Sequence, residues 1–262
     1  MVAVVRNPSK AEALVDRGVN VRPGEYGDPE GLRWSFSGVS ALFLISGMAG
    51  PEERRKQHRG AIEAAKKAGV ERIVYTSFID AEEDSPFFAW SINRDTEAAL
   101  KESGLAYTVL RNGMYSEADL DYVPEYLEFG KVENNIGDGR ISYISRRDLA
   151  LAAARCLLDD GHAGRTYSLT GPEAISQTRL AELISRWTGR EVPYQEISDE
   201  EYRRSFADPY WGDVVVTLYE SVRLGYCEMV TEDFRTIVGR DAYTLDETWE
   251  RHYADSFRVS QE

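Results

Sequence analysis

Met1-Val2-Ala3-Val4-Val5-Arg6-Asn7-Pro8-Ser9-Lys10-Ala11 opens the chain, and its reading decides the fold. Val2–Val5 is a short, continuous, largely β-branched run, the pattern of a strand buried on both faces. Asn7-Pro8 is a turn and helix-start signal, so the strand passes through a basic loop straight into a helix. Further strand-length runs follow at Val19–Arg22, Ala41–Ile45, Arg72–Ser77 and Tyr107–Leu110. The helical segments between them end at Gly18, Gly38, Gly69 and Gly104, residues suited to a left-handed C′ position. Strand and helix alternating at this spacing predict right-handed βαβ crossovers and a parallel sheet with helices on both faces.

After Arg111 the rhythm changes. An alanine-rich helix is predicted over Arg147–Leu158, a strand over Thr166–Thr170, and a helix over Gln177–Thr188 closing on Gly189. Ser198-x-x-Glu201 and Thr244-x-x-Glu247 have the capping-box pattern and mark two further helix starts. The expected fold is α/β: a Rossmann-like doubly wound parallel sheet over residues 1–150. A smaller, mixed and mainly helical lobe over 151–262 returns some strands to the main sheet and covers the carboxyl ends of the strands.

The bulk properties narrow the function classes. The chain has 262 residues, long enough for a sizeable core, and a net charge of −14. Residues 1–72 hold 12 Lys+Arg against 9 Asp+Glu, so the acidity lies in the remainder. Such a chain is a poor non-specific partner for nucleic acid or anionic lipid. No apolar run approaches the roughly 18 residues a membrane span needs. Cys156 and Cys227 are too few for a disulfide framework and read as packing residues. A cytoplasmic protein, monomeric or homodimeric, acting on a small molecule is expected.

Several residues could carry chemistry. Arg6 follows the first strand and Lys10 lies one helical turn on. An acidic residue at that strand end binds a ribose 2′-hydroxyl, whereas a guanidinium there holds a 2′-phosphate, so NADP is favoured over NAD. A solvated arginine at a helix start has the same sequence. Ser46-Gly47-Met48 follows the strand Ala41–Ile45, where small residues let a cofactor lie against backbone; a tight turn needs them equally. Thr76 and Ser77 close the next strand with hydroxyls suited to a nicotinamide ribose or carboxamide. Leu110-Arg111-Asn112-Gly113-Met114-Tyr115-Ser116-Glu117 runs a buried strand into amide, phenol and carboxylate groups, candidate ligand contacts. Arg146, at the start of the alanine-rich helix, brings a cation or a helix N-terminus. His58 shares a helix face with Ile62 and Ala65 and reads as a packing residue; no ligand stands at metal spacing to it, so no metal is expected. No Lys has a Tyr four residues before it, and no Gly-x-Gly-x-x-Gly or Gly-x-x-Gly-x-x-Gly follows a predicted strand.

In this order the segments resemble the NmrA-like branch of the atypical short-chain dehydrogenases, most nearly its quinone oxidoreductase type 2 and triphenylmethane reductase group. The matching stretches include Val5–Ala11, Glu25-Tyr26-Gly27-Asp28, Leu42–Gly47, Gln57-His58, Ala64–Val70 and Tyr75-Thr76-Ser77. They continue with Tyr107–Gly113, Gly137-Asp138-Gly139, Arg147-Asp148-Leu149-Ala150 and Tyr167-Ser168-Leu169. The likeness spans nearly the whole chain and weakens after about Phe206.

The resemblance implies hydride transfer from NADPH to a quinone-like or other conjugated acceptor. Arg6 and Lys10 would then contact the 2′-phosphate, and Ser46, Gly47 and Met48 the middle of the cofactor. Asn112–Glu117, with Asn112, Gly113, Tyr115 and Glu117, and Ile144–Leu149, with Arg146, would line the nicotinamide and substrate end, beside the strand-end hydroxyls of Thr76 and Ser77; Asn93 and Tyr115 are the catalytic candidates. Asn93 stands where the family usually has His or Lys. A non-catalytic NADP(H)-binding sensor, or a truncated form with impaired cofactor binding, is the alternative. The family pattern begins with a strand and glycine-rich loop ahead of Val2–Val5, so a start codon placed downstream is expected. In the order 3-2-1-4-5 the missing strand is central, so such a chain leaves two buried edges without ladder partners.

Overall fold

The computed structural model describes residues 1–254, and in it most predicted elements start and stop where local chemistry places them. The first part of the chain runs β1 (Val2–Val5), α1 (Glu12–Val15), β2 (Asn20–Pro23), α2 (Pro29–Ser35) and β3 (Ala41–Leu44). It continues through α3 (Pro51–Ala68), β4 (Arg72–Phe78), α4 (Ala89–Glu102) and β5 (Ala106–Asn112). Next come α5 (Glu117–Leu120), α6 (Val123–Phe129), β6 (Val132–Asn134), β7 (Arg140–Ile141), α7 (Arg146–Leu158), β8 (Arg165–Leu169) and β9 (Ile175–Ser176). The last are α8 (Gln177–Thr188), β10 (Tyr194–Glu196), α9 (Asp199–Arg204), α10 (Pro209–Arg223), α11 (Asp233–Val238) and α12 (Leu245–His252).

The architecture is α/β and Rossmann-like. Four strands form a sheet in the order β3-β4-β5-β8, with β3 and β4 parallel. The pair β1-β2 is also parallel, with Val2 opposite Asn20, but it forms a separate two-stranded sheet. Among the described residues β1 and β3 therefore each carry a ladder on one side only. Their apolar side chains are correspondingly half-buried; only Leu44 of the two strands is fully buried. The helix ends follow the glycines: Gly18, Gly38, Gly69 and Gly104 all take positive φ, and Gly69 accepts the C-cap of α3 at φ 82°. Both capping boxes are formed, with Ser198 and Glu201 exchanging hydrogen bonds at α9 and Thr244 and Glu247 at α12.

Two compact units interleave along the chain rather than dividing it near residue 150. The first comprises Met1–Ser77, Ser91–Leu110 and Cys156–Thr166. The second comprises Phe78–Trp90, Arg111–Arg155 and the chain from Tyr167 onward. Each has its own core. In the first unit Leu32, Phe36, Leu44, Ile62, Ile73, Tyr75, Leu100 and Val109 pack together. In the second, Leu120, Ile136, Ile141, Tyr143, Leu180, Ile184, Phe78 and Trp249 do so. There Trp187 stacks on Trp249 with ring centroids 4.7 Å apart and planes within 6°, and Tyr253 stacks on the same indole at 5.8 Å. Cys156 and Cys227 are buried and free, and burial pushes their thiols up to about 11 and about 12. No helix among the described residues is long and apolar enough to cross a membrane.

Candidate active site

In the first unit the residues of interest follow β1, β3 and β4. Arg6 leaves β1 exposed, and the Asn7 side chain accepts from Ser9 N at 3.1 Å to start the short 3-10 turn that ends at Lys10. That turn keeps two cations on solvent, and neither has a carboxylate partner among the described residues.

The loop after β3 is held by side chains. Ser46 N donates to Thr76 Oγ1 at 2.8 Å, and Gly47 N donates to His58 Nε2 at 2.9 Å. Tyr26 OH donates to Ile45 O at 2.6 Å, and Arg54 Nε donates to Ala49 O at 3.0 Å. The loop thus hangs from β4, from α3 and from the segment after β2, with Met48 68% exposed at its tip. Ser77 Oγ donates to Glu97 at 2.7 Å, so the hydroxyls of Thr76 and Ser77 both take part in building this corner.

His58 is fully buried, between the edges of Tyr26 and Tyr75. Its Nδ1 lies 2.8 Å from Thr96 Oγ1, whose own hydroxyl donates to Ile92 O. Nδ1 is therefore the donor to Thr96, which leaves Nε2 unprotonated to accept from Gly47. Burial, with a smaller contribution from the Arg54 charge, lowers the imidazole pKa to about 4, so the ring stays neutral. Tyr75 is buried as well, its phenol pushed up to about 12 by desolvation. Its hydroxyl reaches Asn93 Oδ1 at 3.3 Å. Asn93 is itself only 4% exposed, so the structure places it behind Tyr75 rather than on open solvent.

In the second unit the stretch after β5 is held by backbone. Asn112 O accepts from Ile79 N at 2.9 Å, and Gly113 N donates to Leu169 O at 2.8 Å. A Cβ on Gly113 would lie 3.0 Å from Leu169 O and 3.1 Å from Ser142 O, so the close approach of three backbone segments requires glycine here. Ile144 N donates to Met114 O, and Ser116 N donates to Ile144 O. Two buried polar atoms on this stretch, Asn112 Oδ1 and Ser116 Oγ, have no hydrogen-bond partner. Tyr115 is 38% exposed, with the Arg146 guanidinium 5.4 Å from its ring centroid. Glu117 does not face outward as a free carboxylate. Both its oxygens accept from Arg146 N, at 3.0 and 3.1 Å, which caps the start of α7 where the backbone donors are otherwise unmatched.

Three features were not singled out as site residues, although Tyr26 lies in one of the stretches that carry the family resemblance. Tyr26 and Thr96 act only through distant partners, Ile45 and His58. Asp119 is buried and accepts from Tyr126 OH at 2.9 Å and from Tyr143 OH; desolvation raises its carboxyl. Among the described residues no group of His, Cys, Asp or Glu could hold a metal ion.

Comparison with known proteins places this arrangement. A family model described as NAD(P)H-binding matches residues 1–160. Quinone oxidoreductase 2 of Escherichia coli K12 is 43% identical over 202 residues, covering 77% of this chain and 70% of that protein. The crystal structure of the NADPH-dependent quinone oxidoreductase of Escherichia coli with NADPH superposes with a TM-score of 0.89 at 36% identity, covering 95% of this chain and 89% of that one. The Citrobacter sp. triphenylmethane reductase complexed with NADP(H) gives 0.88 at 30% identity, covering 95% and 89%. An NmrA-like family oxidoreductase of Aspergillus flavus is 30% identical over 275 residues, covering 95% of this chain and 88% of that protein. The chain belongs to the NAD(P)H-binding, NmrA-like family.

Proposed function

We propose that this NAD(P)H-dependent oxidoreductase uses NADPH to reduce a quinone-like or other conjugated small molecule. The observation that carries the reading is the pair of buried, unpartnered polar atoms, Asn112 Oδ1 and Ser116 Oγ, on either side of Gly113–Tyr115. Polar atoms buried without a partner are costly, by roughly 1–3 kcal/mol each, and mark where a ligand's polar groups are wanted. Two further features fit a phosphorylated dinucleotide. Arg6 and Lys10 are cations without a carboxylate partner among the described residues, at the end of β1, the strand end that meets the adenosine ribose in this fold. Gly47 is open: a Cβ there would meet nothing closer than 3.5 Å, so the glycine serves something other than protein packing.

Bound NADPH supplies the hydride. Arg6 and Lys10 hold the 2′-phosphate, and the Ser46–Met48 loop supports the middle of the cofactor. Thr76 and Ser77 fix that loop and the adjoining helix. Asn112 and Gly113 orient the nicotinamide end, and Tyr115 offers an exposed ring and hydroxyl to a flat acceptor. Arg146 steadies the Tyr115 ring, and Glu117 fixes Arg146 through its backbone. Asn93 is a positioning residue, acting through Tyr75. With both Tyr75 and His58 held neutral by burial, hydride transfer here depends on placement rather than on a tuned acid.

The test is titration with NADPH and NADH, followed by acceptor-dependent oxidation. Arg6→Ala is expected to weaken NADPH by about tenfold, the size of one charge-assisted phosphate contact, and to leave NADH unchanged. Equal losses for both cofactors overturn the assignment of Arg6. NADPH binding with no oxidation by any quinone or dye selects a sensor instead.

A further inference from the structure

The second unit holds a cation-lined cavity that the reductase reading does not use. Its volume is about 460 Å³ and its walls are Arg147 and Leu151 of α7, Arg240 and Tyr243 of the segment after α11, and Arg251 and His252 of α12. Among the described residues no carboxylate lines it. In a chain of net charge −14, three guanidiniums and an imidazole around one cavity call for an explanation.

The arrangement is built rather than incidental. Asp148 is completely buried, and its two oxygens accept from Arg240 Nη2 at 2.6 Å and from Tyr243 N at 2.9 Å. One buried carboxylate thus fixes both a wall cation and the backbone of the wall aromatic. The Tyr243 ring in turn holds two guanidiniums, with Arg240 and Arg251 each 4.2 Å from its centroid. Arg240 is neutralised by Asp148. Arg147 and Arg251 have no carboxylate partner among the described residues.

Three of the nearby carboxylates are engaged elsewhere, and Glu250 lines the neighbouring cavity together with Arg251. Asp246 accepts from Arg186 and from Trp187 Nε1, Glu247 closes the capping box with Thr244, and Asp241 lies 3.6 Å from Arg235. Like charges around one cavity repel, and the repulsion is relieved by an anion with several acceptor oxygens. Guanidinium forks match phosphoryl geometry, and the cavity exceeds what one inorganic ion fills.

We propose that this cavity is an anion site that takes a phosphoryl group, with Arg147 and Arg251 as its principal contacts. Free phosphate and the phosphate of a small organic ester share this chemistry. The cavity's size favours the ester.

Calorimetric titration at constant ionic strength, with chloride as the balancing salt, tests it on the 262-residue protein. The probes are inorganic phosphate and glycerol 3-phosphate. Saturable 1:1 binding is expected, weakened at least tenfold in the Arg147→Gln/Arg251→Gln double variant. Tighter binding of glycerol 3-phosphate identifies an ester site, and equal or tighter binding of phosphate identifies a free-anion site. Should the double variant fail to fold, Arg147→Lys/Arg251→Lys keeps the charge but loses the fork, and is also expected to bind more weakly. Absence of saturable heat with both probes, or unchanged affinity in the folded variants, overturns the proposal. The titration needs neither dinucleotide nor acceptor, so its result is independent of the reductase reading.

Discussion

The loop after β3 and the stretch after β5 are both irregular segments at strand ends, yet they are fixed by different means. Ser46 and Gly47 hang from side chains, Thr76 and His58. Gly113, Met114 and Ser116 are laced to the backbone of Leu169 and Ile144. A side-chain tether can be titrated or deleted singly. A backbone tether is indifferent to most substitutions and fails only where a side chain is forced into the gap. The first segment is thus exposed to chemistry and the second to sterics.

The largest expected effect exploits the titratable tether. His58 is neutral in the folded protein down to about pH 4, whereas in an unfolded chain it protonates near its ordinary value. Protons then bind preferentially to the unfolded chain. Stability from this residue is whole above pH 6.5 and is lost as the pH falls toward 4, by about 3 kcal/mol in all. Buried Asp80 and Asp119, whose carboxyls are raised, act with the opposite sign as pH falls. Urea unfolding between pH 7.5 and 4.5 should therefore be compared with His58→Gln, in which this slope disappears. An unchanged slope would show that His58 is not the titrating tether.

Gly113→Ala comes next. Its Cβ would press on two backbone carbonyls that cannot turn aside, and a loss of about 2 kcal/mol is expected by denaturant unfolding. Thr76→Val removes the acceptor of Ser46 N while keeping the side chain's shape. A cost of about 1 kcal/mol is expected, together with weaker NADPH binding, because the loop is released. Gly47→Ala should change stability least, by under about 0.5 kcal/mol, since its Cβ makes only ordinary contacts. If NADPH nonetheless weakens severalfold, the glycine is kept for the ligand. If both stability and binding are unchanged, the loop is a turn and nothing more.

Much of this was legible in sequence because the controlling chemistry is local. The C′ glycines, the run Val2–Val5 and the boxes at Ser198 and Thr244 depend on neighbours within a few residues, and they form as read. The separation of β1-β2 from the four-stranded sheet matches the two unpartnered edges expected of the order 3-2-1-4-5 without its first strand; what no local pattern encodes is that those edges are mostly half-buried rather than buried. At the candidate site the residue types were visible but their engagements were not. Glu117 reads as a ligand contact until its oxygens are seen on the backbone of Arg146. Tyr115 keeps its exposure. Arg147 lies far in sequence from Arg240 and Arg251, so their gathering at one cavity had no signature in it.

The stacked indoles of Trp187 and Trp249 give the second unit a built-in optical reporter. Two parallel chromophores 4.7 Å apart couple their excited states, and the coupled band in circular dichroism disappears once they part. Because one indole belongs to α8 and the other to α12, that band follows the docking of the last described helix by itself. Unlike total helicity, it tells whether α12, and with it the wall carrying Arg251, stays seated.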